Sequence, residues 1–164
     1  MSEGICWAAY IKDVDAVKKH LQDGDDIESV DRDGRTPLLN SVSGKDIRID
    51  LPEFLIKSGS NVNAQDKAGF SSLHFCAQEK QAHIAQLLLT NGANVNIKDQ
   101  WGNTPLFRAL GNTDENARLI ELFVENGADP YSKNESGISV IDHVLKLKSH
   151  PNHEYFKRYH ETRS

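Results

Sequence analysis

The sequence has few cysteines and no long hydrophobic run. Only Cys6 and Cys76 occur among 164 residues, which excludes a disulfide scaffold. The longest apolar runs, such as residues 87–89, are far too short to cross a bilayer. Residues 1–15 have no basic segment followed by an apolar stretch, so a secretory signal peptide is not expected. We therefore expect a soluble cytoplasmic protein with reduced thiols.

Positive charge is also in short supply. Lysine and arginine number 19 against 24 aspartate and glutamate residues, which gives a formal net charge of −5. A nucleic-acid partner calls for a clustered basic surface, so neither nucleic acid nor a membrane is the expected partner. The length is that of one domain of roughly 100–200 residues.

Glycines recur in two interleaved series, each with spacings of 35, 33 and 35 residues. One series comprises Gly34, Gly69, Gly102 and Gly137, and the other Gly24, Gly59, Gly92 and Gly127. The flanking residues repeat too: 33–38 (DGRTPL) matches 101–106 (WGNTPL), and 58–63 (SGSNVN) matches 91–96 (NGANVN). This pattern resembles the ankyrin repeat, which has a period of about 33 residues with two helices and a β-turn per unit.

Helix start and stop signals agree with the resemblance. Four residues that follow the first glycine series are good N-caps: Thr36, Ser71, Thr104 and Ser139. Pro37 and Pro105 then occupy the first helical position, where a missing N–H does no harm. Glycines of the second series can end the second helix of each unit in the left-handed conformation.

We predict an all-α repeat solenoid, an ankyrin-type stack of about five helix-turn-helix units with β-turn fingers. The units are an N-terminal cap at 1–30, then 31–65, 66–98 and 99–133, and a C-terminal cap at 134–164. Two of them carry extra residues between their helices, at 43–51 and 111–116, and Pro52 is expected to begin the second helix of its unit. Capped ends favour a monomer.

The sequence contains no enzyme or cofactor motif, since G-x-S-x-G, P-loop, G-x-G-x-x-G and H-E-x-x-H patterns do not occur. We expect a non-enzymatic protein without cofactor or metal. A metal-binding or enzymatic alternative rests on His150, His153 and His160, which no cysteine accompanies. The favoured interpretation of this segment is a capping helix, with an apolar stripe of Tyr155, Phe156 and Tyr159 that seals the last unit.

The resemblance implies roles for two other kinds of residue. His74 is expected to bond to backbone between units, and the equivalent positions carry Leu39, Phe107 and Asp142, so that bond is predicted at His74 alone. Asn63 and Asn96 lie in Val-Asn turns similar to sites that are hydroxylated in animal ankyrin proteins. Modification at these asparagines is a further alternative, which requires an animal source.

Partner binding is expected at the concave face, which turn tips and inner helices line in ankyrin proteins. Phe70 and Trp101 are predicted to be exposed there, and exposed aromatic side chains are frequent interface hot spots. The other candidates beside the turn glycines are Arg32, Asp33, Arg35, Lys67, Gln100 and Asn103. Inner-helix positions that complete this surface are Ser43, Gln78, Glu79, Gly111 and Asn112.

Acidic residues concentrate around the first turn. The cluster consists of Asp23, Asp25, Asp26, Glu28, Asp31 and Asp33. Such a patch would steer a basic partner and speed association; the alternative is that it only confers solubility. The leading hypothesis is therefore a binder that masks one protein partner, such as an immunity or antitoxin-like inhibitor of a basic toxin or enzyme. The competing hypothesis is a scaffold or regulatory adaptor that uses the same face.

Overall fold

The computed structural model describes residues 4–44, 47–110 and 116–162. Within these ranges ten helices follow one another in five pairs, and each predicted unit contains one pair. The helices are α1 Ile5–Tyr10, α2 Val14–Gln22, α3 Pro37–Ser41, α4 Asp50–Lys57, α5 Ser72–Gln78, α6 Ala82–Thr90, α7 Pro105–Arg108, α8 Ala117–Glu125, α9 Val140–Lys146 and α10 His153–Glu161. The two helices of a pair pack on each other, and α3 and α5 also pack on the first helices of neighbouring units. The prediction of an all-α solenoid is confirmed.

The first helices begin where the sequence predicts. The hydroxyls of Thr36 and Thr104 accept the amides of Leu39 and Phe107 at 3.3 Å, which satisfies a free donor of the first turn. The prediction for Pro52 is wrong by two residues, because α4 begins at Asp50. Pro52 still lies in the first turn, where its missing N–H leaves no helical bond unmade.

Of the second helices described, the first four end at glycines of the second series, as predicted, whereas α10 ends at Thr162. Gly24, Gly59, Gly92 and Gly127 have φ values of +95°, +98°, +85° and +85°. After each glycine, the next amide bonds to the carbonyl five residues earlier, as from Asp25 to His20 at 3.0 Å and from Ala128 to Phe123 at 2.9 Å. This hydrogen bond satisfies a carbonyl that would otherwise be free. The left-handed glycine reverses the chain toward the next unit.

Buried apolar side chains form a core that extends from Ile5 in α1 to Phe156 in α10. No unit could bury its apolar face alone, so stacking creates this core. Phe156 is fully buried, which confirms that the aromatic stripe of α10 seals the last unit. Among the described residues, no helix is long and apolar enough to cross a membrane.

Candidate partner-binding surface

The four turns around the first glycine series, residues 31–35, 66–70, 99–103 and 134–138, are here called the fingers. In each finger the first side chain accepts hydrogen bonds through Oδ1 from the amides two and four residues later, at 2.9–3.0 Å. These first residues are Asp31, Asp66, Asp99 and Asn134. Because the side chain closes the turn, Asp31 has a structural role in addition to its charge in the acidic cluster.

Neighbouring fingers are joined through their backbones. The amides of Lys67, Gln100 and Glu135 each donate to the tip of the preceding finger, to the carbonyls of Asp33, Ala68 and Trp101, at 2.9, 2.9 and 3.0 Å. These bonds set the spacing between tips through backbone atoms, and the Lys67 ammonium adds a side-chain bond to the Arg32 carbonyl at 2.9 Å.

A continuous row of cationic and aromatic side chains crosses the second, third and fourth units. The Arg35 guanidinium carbon lies 4.9 Å from the ring centre of Phe75, which is 5.7 Å from that of Phe70. Arg108 lies 5.0 Å from the ring centre of Phe70 and 5.1 Å from that of Trp101. We call these five residues the Arg–aromatic row; each member is held by its neighbours through cation–π or ring contacts.

Buried carboxylates neutralise both arginines of the row. Asp66 Oδ2 is 3.4 Å from Arg35 Nε, and Asp99 Oδ2 is 2.8 Å from Arg108 Nε. Both aspartates also close their fingers, so one residue positions the tip and the guanidinium together. The side chains of the row are therefore held by contacts within the chain.

The exposure predicted for the aromatic candidates holds for Trp101 and only in part for Phe70. Trp101 is 47% exposed at the tip of the third finger. Phe70 is half-buried, because its ring packs against His74 and Phe75 at centroid distances of 5.5 and 5.7 Å. Trp101 is thus the aromatic side chain that presents most surface to a partner from this row.

Two polar candidates are buried, contrary to prediction. Asn103 accepts a hydrogen bond from Asn134 Nδ2 at 2.9 Å, and its carbonyl lies 3.0 Å from His74 Nε2, so it joins units. Ser43 is 3% exposed and its hydroxyl donates to the Asn40 carbonyl.

The remaining candidates lie at or near the surface. Arg35 and Glu28 are half-buried, and the exposed ones are Asp25, Asp26, Arg32, Asp33, Lys67, Gln78, Glu79 and Gln100. Gly111 and Asn112 lie outside the described residues.

Several carboxylates of the acidic cluster have partners within the chain. Asp25 Oδ2 lies 2.8 Å from His20 Nδ1, Asp26 accepts the Glu28 amide, and Glu28 accepts the Asn61 amide of the next unit, both at 2.9 Å. The cluster therefore helps to shape the turn and to join units while it retains its negative charge.

His74 forms the predicted bond between units. It is fully buried, with Nδ1 accepting the Ser71 amide at 3.1 Å and Nε2 facing the Asn103 carbonyl. This pair of bonds requires the neutral ring protonated at Nε2, and burial lowers the pKa of His74 below its ordinary value. At the equivalent position of the last unit, Asp142 instead accepts from the Ser139 hydroxyl of its own unit at 2.7 Å.

The three C-terminal histidines have separate partners. His150 Nδ1 accepts the Asn152 amide at 3.1 Å, His153 Nδ1 lies 3.1 Å from the Val144 carbonyl, and His160 Nδ1 is 2.9 Å from the Tyr131 hydroxyl. Across the described ranges, no three histidine, cysteine or acidic side chains form a group that could hold a metal ion.

Asn63 and Asn96, the proposed modification positions, tie units together. Asn63 Oδ1 accepts the Asn94 amide at 2.7 Å and its Nδ2 donates to the Gly92 carbonyl at 3.2 Å. Asn96 makes the same two bonds to the following unit. Modification at either residue therefore stays a hypothesis about side chains that already have partners.

Sequence reasoning missed two exposed aromatic residues on α1. Trp7 and Tyr10 are 44% and 46% exposed, and their ring centres are 5.6 Å apart. Ala8 and Ala9 are buried between them in sequence. The available signal was this helical spacing, since aromatic side chains three apart share a helix face and the two alanines mark the opposite, packed face.

Cys6 lies beside these aromatic residues and is held as a thiol. Its Sγ donates to the Ser29 carbonyl at 3.2 Å. Burial, with a smaller contribution from the Asp31 charge, raises the pKa of Cys6 to about 11. The thiolate that a nucleophile would require is therefore scarce near neutral pH.

Comparison with known proteins identifies the fold family. The family model for ankyrin repeats (3 copies) matches residues 5–99 and 48–134. An ankyrin repeat protein of Rickettsia bellii is 35% identical over 130 residues, which cover 76% of this chain and 67% of that protein. An ankyrin repeat protein of Acanthamoeba polyphaga mimivirus, L271, is 30% identical over 81 residues, which cover 49% of this chain and only 11% of the viral protein. The chain belongs to the ankyrin repeat family.

Proposed function

We propose that this protein binds one protein partner through its finger tips and first helices, and that it acts by masking the bound surface. Ankyrin repeats are in general protein–protein interaction modules. The observation that carries the proposal is Trp101, a large aromatic side chain that is 47% exposed and fixed from behind by Arg108 and Phe70.

The setting of Trp101 suits an interface hot spot. Its ring meets Phe70 edge-on at a centroid distance of 6.0 Å, and Arg108 covers part of it at 5.1 Å. A side chain that is already ordered loses little conformational freedom on binding, so more of its contact energy contributes to affinity. Tryptophan and arginine are the residue types most enriched at such positions.

Charge favours a basic partner at the N-terminal end of this surface. The acidic cluster adjoins the first finger, and Asp25, Asp26 and Asp33 are exposed there. Carboxylates concentrated at one end raise the association rate with a cationic surface. A partner covered in this way is inhibited by steric masking alone, as an immunity or antitoxin-like protein would inhibit a basic toxin or enzyme.

Affinity capture with matched variants tests the proposal. Wild type, Trp101→Ala and Leu147→Ala serve as baits; Leu147 is also 47% exposed but follows α9 of the last unit and is not a member of the Arg–aromatic row. We expect wild type and Leu147→Ala to retain the same partner, and Trp101→Ala to bind it more weakly by about 2 kcal/mol or more. Equal retention by all three folded baits would overturn the proposal.

The activity of the captured partner then separates masking from scaffolding. We expect its activity to fall in proportion to occupancy when this chain is added, because the partner's functional surface is covered. An unchanged activity in the saturated complex would contradict masking and favour the scaffold or adaptor hypothesis.

A further inference from the structure

We infer that the groove between α1 and the first finger binds an arginine side chain of the protein partner. The groove has a volume of about 600 Å³, and its walls include Trp7, Tyr10, Arg32, Asp33 and Asn40. This inference deepens the proposed function, since it assigns a chemical class to one contact of the partner.

The aromatic wall of the groove is exposed and continuous. Trp7 and Tyr10 are 44% and 46% exposed, with ring planes inclined by 32° and centres 5.6 Å apart. Both rings line the same groove, and indole is the strongest π acceptor for cations among side chains.

The Arg–aromatic row provides an internal template for this recognition. There, Arg108 lies 5.0 and 5.1 Å from the ring centres of Phe70 and Trp101, with its Nε bonded to the Asp99 carboxylate. The groove offers the same two elements, paired aromatic rings and a carboxylate. Among the described residues, no cation is found over the Trp7 ring, whereas Trp101 is already covered by Arg108.

Tyr10 differs from Trp7 in having a cation of its own. The Lys12 ammonium lies 5.5 Å from the Tyr10 ring centre and is fixed by the carbonyls of Asn40 and Ser43, both at 2.7 Å. Trp7 is therefore the ring that faces an incoming cation, with Tyr10 as the side wall.

Asp33 supplies the carboxylate. Asp31 Oδ1 is committed to the finger amides and its Oδ2 accepts Asn40 Nδ2 at 2.8 Å, whereas Asp33 is exposed beside the groove. A second groove that shares Trp7 is lined by Asp25, which adds negative charge nearby. Of the two groove arginines, Arg35 is bonded to Asp66, so a bound cation is opposed by Arg32 and by the Lys12 ammonium beside Tyr10.

Arginine fits this combination better than lysine. A planar guanidinium stacks on an indole while its N–H groups donate to a carboxylate that lies in the plane of the guanidinium. The ammonium of lysine is a strongly hydrated point charge that cannot stack.

The test uses a short peptide probe and the two indole N–H resonances of the protein. The blocked tripeptide acetyl-Gly-Arg-Gly-amide is titrated at constant ionic strength, beside an otherwise identical peptide that contains citrulline, the neutral isostere of arginine. We expect a saturable shift of the Trp7 resonance with the arginine peptide, at least about fivefold weaker binding of the citrulline peptide, and no saturable shift at Trp101.

Variants locate the site within the groove. We expect Asp33→Asn to lower the affinity for the arginine peptide about threefold or more, and Arg32→Ala to raise it about twofold. The melting temperatures of both variants should be unchanged, because both side chains are exposed. Equal responses to both peptides, or equal shifts at Trp7 and Trp101, would overturn the inference. The peptide titration needs no partner protein. It therefore stands if the capture experiment with Trp101→Ala contradicts the proposed function, and the capture result likewise stands if the titration fails.

Discussion

Two junctions of the stack join similar helix pairs by different chemistry. We call them the third junction, between the third and fourth units, and the first junction, between the first and second units. At the third junction, one finger bonds to the next through backbone, and His74 reaches across to the Asn103 carbonyl. At the first junction there is no turn glycine in the first unit, and Lys12 instead bonds to the Asn40 and Ser43 carbonyls at 2.7 Å.

At these two junctions, different side chains satisfy backbone carbonyls of the next unit, so the stack does not use the same side chain at every junction. A buried imidazole and a half-buried ammonium both supply donors to carbonyls of the next unit. Lys12 lies in the left-handed backbone region with φ of +63°, as does Lys80 between the two helices of the third unit with φ of +58°. We expect the finger contacts to be the stronger constraint, because they join backbone atoms, which are less free to move than a side chain.

The largest effect is expected from Gly102→Ala. Its φ is +73°, and an added Cβ would lie 2.8 Å from the Glu135 amide nitrogen of the next finger. Left-handed strain of about 1–2 kcal/mol and overpacking of about 1–3 kcal/mol should together lower the free energy of unfolding by roughly 2–5 kcal/mol in a urea titration.

Gly137→Ala is the matched control for that substitution. Its φ is also +73°, but no atom lies within 4 Å of the added Cβ. We expect a loss of about 1–2 kcal/mol from backbone strain alone. Equal losses for the two variants would mean that finger-to-finger contact does not constrain the stack.

His74→Leu tests the side-chain link of the third junction. Leucine is buried at the equivalent position, Leu39, but it cannot donate to the Asn103 carbonyl, so we expect a loss of about 1–3 kcal/mol at neutral pH. A buried carbonyl without its donor accounts for this loss, and thermal or urea unfolding measures it.

His74→Leu should also change how the free energy of unfolding depends on pH. Burial lowers the pKa of His74, and burial with the nearby His143 and His153 lowers that of His150. A depressed histidine pKa means that the unfolded chain binds protons first, so wild type should lose stability as pH falls below the ordinary value of about 6.5. His74→Leu should be less sensitive; an unaltered slope between pH 7 and 5 would contradict the assignment.

Lys12→Met tests the first junction, with a smaller expected effect. Methionine keeps much of the apolar stem but removes the donor to two carbonyls, so we expect a loss of about 1–2 kcal/mol. The control is Lys19→Met, since Lys19 is an exposed lysine of α2 in the same unit. It should change the free energy of unfolding by less than about 0.5 kcal/mol. Similar losses for both would show that Lys12 does not seal the junction.

The smallest effects are expected from the two exposed tryptophans. Trp101→Ala removes contacts with Phe70 and Arg108 and should cost about 1 kcal/mol. Trp7→Ala loses the contact with Tyr10 and should cost less, about 0.5 kcal/mol. Differential scanning calorimetry measures both effects. If Trp7→Ala is the more destabilised variant, Trp7 stabilises the first unit and is not simply an exposed wall of the groove.

Much of the fold was predictable because its signals are local. The N-caps, the first-turn prolines and the helix-ending glycines act within a few residues, so their periodic recurrence located five helix pairs. The start of α4 was missed by two residues because Pro52 is tolerated anywhere in a first turn.

The surface was less predictable because exposure depends on contacts between units. Asn103 looked like a tip residue, yet its carbonyl receives a bond from a histidine 29 positions earlier. Phe70 flanks a turn glycine as Trp101 does, but it packs onto Phe75. Trp7 and Tyr10 lie outside the repeat motifs, so their exposure was missed although their helical spacing was a signal for it.

The backbone bonds between finger tips have an evolutionary consequence. Because the amides of Gln100 and Glu135 set the distance between tips, the side chains at those two positions can be exchanged without altering the backbone frame that presents them. Mutations at those positions therefore affect recognition far more than folding. A lineage can thus change partners through single substitutions, each of which leaves a folded protein.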